Sequence, residues 1–167
     1  MRFDKNSTNN TAEKIVHQND LKELTKIFKE YGEERHAYKI AKKIKDLNDK
    51  VDVLAITSVV DQVTPFKYRL KTYSRIFQAL RIATNNELNH LKFFLDNFID
   101  LLSPQGRIVV ISYHSIEDRI VKHKFKDLKN KKKMNLIYKK PLIPSKEEVG
   151  LNKRARSAKM RVGEKIG

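Results

Sequence analysis

The sequence predicts an α/β fold preceded by a small helical domain, on three observations. Ile108–Lys122 reads IVVISYHSIEDRIVK: an unbroken β-branched run stops at a polar cluster, Ser112-Tyr113-His114-Ser115, and an acidic amphipathic helix follows. From Ser74 onward, helix-period segments alternate with strand-like ones, the pattern of strands covered by helices. Before Ser74, apolar residues recur only at helical spacing. A strand without polar alternation is expected to be buried on both faces, as in a parallel sheet, and ligands of such sheets sit at the carboxyl ends of strands. The cluster at 112–115 therefore marks a candidate site.

The elements follow in order. Residues 1–10, polar and rich in Asn, are predicted to be irregular. Asp20-x-x-Glu23 is a capping-box pattern. After it Leu21, Leu24, Ile27, Phe28 and Tyr31 recur at helical period, and Gly32 marks a stop. A second helix is predicted over 33–45, with Ala37, Ile40, Ala41 and Ile44 on one face, and a third over 53–63, halted before Pro65. Their short links suggest αα-hairpins. Phe66–Tyr73 is basic and ambiguous. Ser74–Ala83 reads as a helix packing Ile76, Phe77, Leu80 and Ile82 inward. Thr84-x-x-Glu87 is read as the cap of a helix striped by Leu88, Leu91, Leu95, Phe98 and Leu102, ended by Ser103-Pro104-Gln105-Gly106.

The strand Arg107–Tyr113 comes next, and Ser115-x-x-Asp118 is read as the cap of a helix burying Ile116, Ile120, Val121 and Phe125. A charged break at 129–133 precedes a short strand over 135–139, closed by Pro141 and Pro144. Ser145-x-x-Glu148 opens another short helix. Ala158, Met160 and Val162 alternate with Lys159 and Arg161, the pattern of an edge or half-buried strand. Three strands make a thin sheet for so apolar a run, which calls for sister strands to flank it.

Composition sets the class. The chain has 167 residues, 40% hydrophobic and 34% charged, enough to bury a core. No apolar run approaches the roughly 20 residues that span a bilayer, and the first residues resemble no secretory signal, so a cytoplasmic protein is expected. The absence of cysteine excludes disulfides, thiolate catalysis and sulfur-held zinc. The net charge of +16 is uneven: from Arg119 to Arg161, 16 Lys and Arg stand against three acids, so this stretch carries +13. Such a basic third suits a polyanion, ribosomal or other structured RNA or DNA. An acidic membrane surface fits less well, because no strongly apolar helix face accompanies the charge.

Candidate chemistry gathers where the long strand meets its helix. His114, Ser115, Glu117 and Asp118 could line a pocket there; Ser115 and Asp118 suit capping, and His114 is the candidate pocket residue, with a structural histidine as the alternative. A metal held by His114, Glu117, Asp118 and His123 matches no ligand signature, and none is expected. A Ser115/His114/Asp118 hydrolase fails because neighbours within one turn diverge and no G-x-S-x-G elbow exists. Arg154 and Arg156, with Lys139, Lys140 and Lys159, are candidate RNA-phosphate contacts, since guanidinium forks suit phosphate. Arg75 and Arg81 are further candidates, with pairing to Glu87 or other carboxylates as the alternative. Tyr31, Phe77, Phe93 and Phe94 are assigned to cores.

Four blocks together carry a resemblance. They are Tyr31-Gly32-Glu33-Glu34-Arg35 with Ile40-Ala41; RIFQALRIATNNEL from Arg75 to Leu88; VISYHSIEDRIVK from Val110 to Lys122; and KKPLIPSKEEVGLNKRARSAKMRVGEKI from Lys139 to Ile166. In order and spacing they resemble the bacterial small-subunit (16S) ribosomal RNA (cytosine-N4)-methyltransferases, which use S-adenosylmethionine. The resemblance implies a partial class I (Rossmann-like) methyltransferase sheet with a helical insertion domain. Residues 1–75 would be that substrate-recognition insertion, and 76–167 the C-terminal half of the methyltransferase domain. It implies methylation of a cytosine N4 amine in the decoding region, by an enzyme incomplete in this chain alone. The opening Met1-Arg2-Phe3-Asp4 resembles a segment that lies well inside family members, and the Gly-rich loop and ribose-holding acid of the family are not found here. Cofactor-binding residues therefore stay unassigned, and a separately encoded N-terminal half is an expected partner. Tyr113 stands where the family usually has Phe, and Lys153 where it has Pro. The rival expectation is a non-catalytic basic module docking on ribosomal RNA, or an inactive remnant.

Overall fold

A computed structural model describes residues 11–47 and 51–167; the segment predicted to be irregular at 1–10, with its Met1-Arg2-Phe3-Asp4 opening, lies outside the described residues. The chain forms two compact units, Met1–Glu87 and Leu88–Gly167. No described helix is long and apolar enough to cross a membrane.

The first unit is helical: α1 (Ala12–Gln18), α2 (Leu21–Gly32), α3 (Ala37–Lys45), α4 (Val53–Val63), a 3-10 turn at Phe66–Tyr68, and α5 (Arg69–Asn85). Asp20 caps α2 as its spacing predicts, accepting the Glu23 N–H at 2.8 Å. Asp52 does the same for α4 through the Ala55 N–H, at 2.9 Å. The sequence does not announce α1, because seven residues hold too few apolar positions to show a period. It is fixed from outside itself: Lys45 Nζ donates to the carbonyls of Val16 (3.1 Å) and Asn19 (3.0 Å), the orphaned acceptors at its end.

The core of this unit joins Leu24 and Phe28 of α2, Ile40 and Ile44 of α3, Val60 of α4, and Ile76 and Leu80 of α5, all fully buried. Each such side chain contributes about 1.5–3 kcal/mol of hydrophobic stabilisation. Gly32 marks the predicted stop of α2, but not by turning left-handed itself. It is the last helical residue of α2, and Glu33 takes the left-handed conformation, φ 51°, that ends the helix. What Gly32 provides is proximity: a Cβ there would lie 2.7 Å from the Arg75 carbonyl oxygen of α5.

The ambiguous stretch 66–73 resolves into the 3-10 turn running directly into α5. Arg69 secures this corner, donating to the carbonyls of Asp61 (2.9 Å) and Thr64 (3.2 Å). The Tyr73 hydroxyl donates to the Asp61 carboxylate. The predicted Thr84 cap does not form. Helix α5 continues through Thr84 to Asn85, and Asn86 turns left-handed at φ 51°.

The second unit contains α6 (Glu87–Leu101, its first residue belonging to the helical unit), β1 (Arg107–Ser112), α7 (Ser115–Asn130), β2 (Met134–Leu136), α8 (Lys146–Leu151), a 3-10 turn at Lys153–Ser157, and β3 (Lys159–Lys165). The α/β class holds, but the sheet differs from the parallel one expected. Its order is β1-β3-β2 and both pairings are antiparallel. The 158–162 alternation belongs to the central strand, not an edge, while the apolar β1 lies at an edge of the described sheet. Helices α6 and α7 cover one face through Leu95, Phe98, Val121 and Phe125, packed with Ile108 and Met134. On the other face Val109 and Ile111 remain 55% and 53% exposed. An apolar run signals only that both faces can be covered; this chain's described residues cover one.

Gly32→Ala should force α2 and α5 apart and lower stability by about 1–3 kcal/mol. Thermal unfolding followed by circular dichroism checks this against Gly150→Ala, where an added Cβ meets nothing and the melting temperature should hold or rise.

Candidate functional site

The carboxyl end of β1 is built by a cap displaced one residue from the expected one. His114, not Ser115, is the N-cap of α7, and its Nδ1 accepts the Glu117 N–H at 3.4 Å. Glu117 returns the interaction: its Oε2 accepts the Tyr113 N–H at 3.1 Å. The forward bond has N-cap spacing, with an imidazole in place of a hydroxyl, and the return bond reaches the N–H of the residue before the cap. In the neutral ring the proton then sits on Nε2. That nitrogen is buried, 3.2 Å from Glu117 Oε1, with no hydrogen bond of good geometry among the described residues.

Asp118 is neither a cap nor a base. Its carboxylate is gripped by the guanidinium fork of Arg161 on β3, Nε to Oδ1 at 2.7 Å and Nη2 to Oδ2 at 3.2 Å, with Lys159 Nζ 3.5 Å from Oδ2. Burial pushes the Asp118 carboxyl up, but the hydrogen bonds and charges of Arg161 and Lys159 outweigh it and hold it below its ordinary range. Val110 of β1 lies opposite Arg161, and Ser112 opposite Lys159. The fork therefore sets the position of α7, and with it His114, over the sheet.

The same end gathers much of the basic chemistry. Arg154 and Arg156 sit exposed in the 3-10 turn that leads into β3, anchored by the buried Ala155 between them. Lys139 and Lys140 are exposed in a connection pinned to β3 at both ends. Ile137 N–H donates to the Val162 carbonyl (3.1 Å), and Leu142 pairs with Met160. Lys159 is in part committed to Asp118. Arg81 belongs to the helical unit and is engaged by both carboxylate oxygens of Glu87, at 2.9 and 3.0 Å, the alternative foreseen for it. Arg75 lies in the same unit, with Nη1 3.5 Å from Glu34 Oε2.

Sequence reasoning missed Arg161. A signal existed: Asp118, Val121, Phe125 and Leu128 follow one buried helical stripe, and an acid on such a stripe requires a cationic partner. It also missed a concavity of about 260 Å³ in the helical unit. Glu34, Arg35, His36, Thr64, Tyr68, Lys71, Thr72 and Arg75 line it.

With this geometry in place, similarity adds a lineage. The sequence profile described as the MraW methylase family matches residues 1–166. Among curated relatives, a Halothermothrix orenii protein named ribosomal RNA small subunit methyltransferase H is 43% identical over 99% of this chain and 60% of its own length. Relatives of the same name from Dictyoglomus turgidum (45%, 56% of its length) and Trichodesmium erythraeum (42%, 58%) also align with 99% of the chain. The chain spans about 60% of the length of these relatives.

Removing the Asp118 fork should be costly. Asp118→Ala leaves the largely buried Arg161 guanidinium without its partner, and should destabilise the chain by about 3 kcal/mol in urea titration. The pH dependence has a definite sign. Because the folded carboxyl binds its proton less readily than the unfolded one, its stabilisation is present above the unfolded pKa, about 3.9. That stabilisation is lost as pH falls through the lower folded value. The wild type should therefore lose stability more steeply below about pH 4 than Asp118→Ala does.

Proposed function

Because the chain belongs to the MraW methylase family, we propose that it forms part of an enzyme transferring a methyl group from S-adenosylmethionine to the N4 amine of a cytosine in small-subunit ribosomal RNA. The observation that carries this reading is extent: the family profile runs through residues 1–166, across both units, and relatives named for methylating that RNA align with nearly the whole chain. The basic stretch 119–161 supports an RNA substrate on physical grounds.

In this reading residues 76–167 are the C-terminal half of a class I methyltransferase domain, and the helices of 1–75 are its substrate-recognition insertion. His114 faces the reacting region. A buried ring N–H without a well-aligned acceptor can hold a carbonyl or ring nitrogen of the target base. Arg154, Arg156, Lys139 and Lys140 contact phosphates, which set register rather than sequence. Lys159, Arg75 and Arg81 contribute less, since each already faces a carboxylate.

Holding the methyl donor is not assigned to these residues. A ribose is held by a free carboxylate, and the two acids at this sheet end are engaged, Glu117 by the Tyr113 N–H and Asp118 by Arg161. The groups that bind S-adenosylmethionine belong to the part of the relatives that this chain does not match.

Fusing to this chain the portion of the Halothermothrix orenii relative that it does not match tests the proposal. Incubated with unmethylated small ribosomal subunits and S-adenosylmethionine, the fusion should yield N4-methylcytidine, detected by nucleoside mass spectrometry; its absence, or a different methylated nucleoside, refutes the proposal. His114→Asn in that fusion keeps a capping side chain and should lower the yield about tenfold or more while the melting temperature changes little. Titrated calorimetrically into this chain alone, S-adenosylmethionine should give no saturable heat, and micromolar binding would overturn the assignment of its site elsewhere.

A further inference from the structure

We propose that the cavity of the helical unit is a nucleotide subsite, taking a base and its phosphate from single-stranded RNA. The choice of RNA as the polyanion rests on the methylation reading; the site itself rests on four features of residues 34–75.

The first is charge. Arg35, Lys71 and Arg75 line the cavity against one carboxylate, Glu34. Glu34 is 3% exposed and already used, its Oε1 accepting the His36 N–H at 2.9 Å and its Oε2 facing Arg75. The second is the start of α3. Glu34, Arg35 and His36 lead into it, and His36, its N-cap, makes no side-chain capping bond. An uncapped helix start offers N–H donors and positive potential to an anion.

The third is an orphaned hydroxyl. Thr64 lines the cavity, is 3% exposed, and its Oγ1 has no partner among the described residues. Burying a hydroxyl without a bond costs about 1–3 kcal/mol, a cost that a polar ligand reaching Thr64 would offset. The fourth is the rim. Tyr68 lines the cavity and is 52% exposed, Phe66 beside it is 84% exposed, and Lys67 and Arg69 lie over the Tyr68 and Phe66 rings. Exposed aromatics interleaved with cations are how proteins hold single strands, bases on the rings and phosphates on the charges. A volume of about 260 Å³ suits one nucleotide entering in part, not a folded helix.

The test uses the full chain and a labelled mixed-sequence RNA octamer, read by fluorescence anisotropy. Tyr68→Ala should weaken binding about fivefold or more, while Tyr68→Phe, which keeps the stacking face, stays within about twofold. Lys71→Ala should flatten the slope of log affinity against log salt by about 0.7. Thr64→Val should weaken binding while leaving the melting temperature equal or higher, because it removes an unsatisfied group. That opposition is one a merely structural threonine would not produce. Unchanged affinity in Tyr68→Ala and Thr64→Val overturns the subsite, as does equal affinity for a duplex of the same sequence. N4-methylcytidine formed by a fusion whose subsite variants bind RNA like the parent sinks the subsite and leaves the methylation reading intact. Weakened RNA binding without N4-methylcytidine does the reverse.

Discussion

The second unit is organised around a carboxylate that water has largely left. Asp118 occupies the first turn of α7, on the stripe that Val121, Phe125 and Leu128 continue into the core. A charge in that position is tolerable only with a partner that matches its geometry, and Arg161 supplies two parallel bonds from the central strand. One consequence is positional. With α7 clamped to β3, the chain leaving β1 must turn within Tyr113 and His114, and the imidazole is drawn in as the helix cap. The cluster that looked catalytic in the sequence is thus first a solution to a folding problem.

Elements with local punctuation were legible. Helix α4 carries its own boundaries, an Asp52 cap before it and Pro65 after, and its span was read from the sequence without error. The N-caps at Asp20 and Ser145 formed as their spacing implied. Where tertiary contacts override local signals, the reading failed. Thr84 and Glu87 have capping-box spacing, yet Glu87 serves Arg81 instead, and α5 runs on to Asn85. The stop at Gly32 was legible but its physical reason was not: Glu33 makes the left-handed turn, and Gly32 provides the near contact with the Arg75 carbonyl, which no local pattern encodes.

The candidate site divides the same way. The strand-end cluster was visible because strand, polar break and helix are contiguous, and so were the exposed cations of 139–140 and 154–156. The cavity of the helical unit was not. Its lining comes from Glu34 to His36 and from Thr64 to Arg75, segments joined only when α2, α3 and α5 pack. The aromatic and basic rim at 66–69 showed in the sequence only as a stretch that fitted neither period.

Strand β1 offers a last consequence. Its outward side carries Val109 and Ile111, both more than half in water, and no described strand flanks it opposite β3. Short, β-branched edges whose backbone N–H and C=O groups are unpaired template the addition of further chains. Concentrated preparations of this polypeptide would then tend toward ribbon-like self-association through the unpaired backbone of β1, with Val109 and Ile111 as an apolar face beside it, and colloidal behaviour would depend on how that edge is shielded.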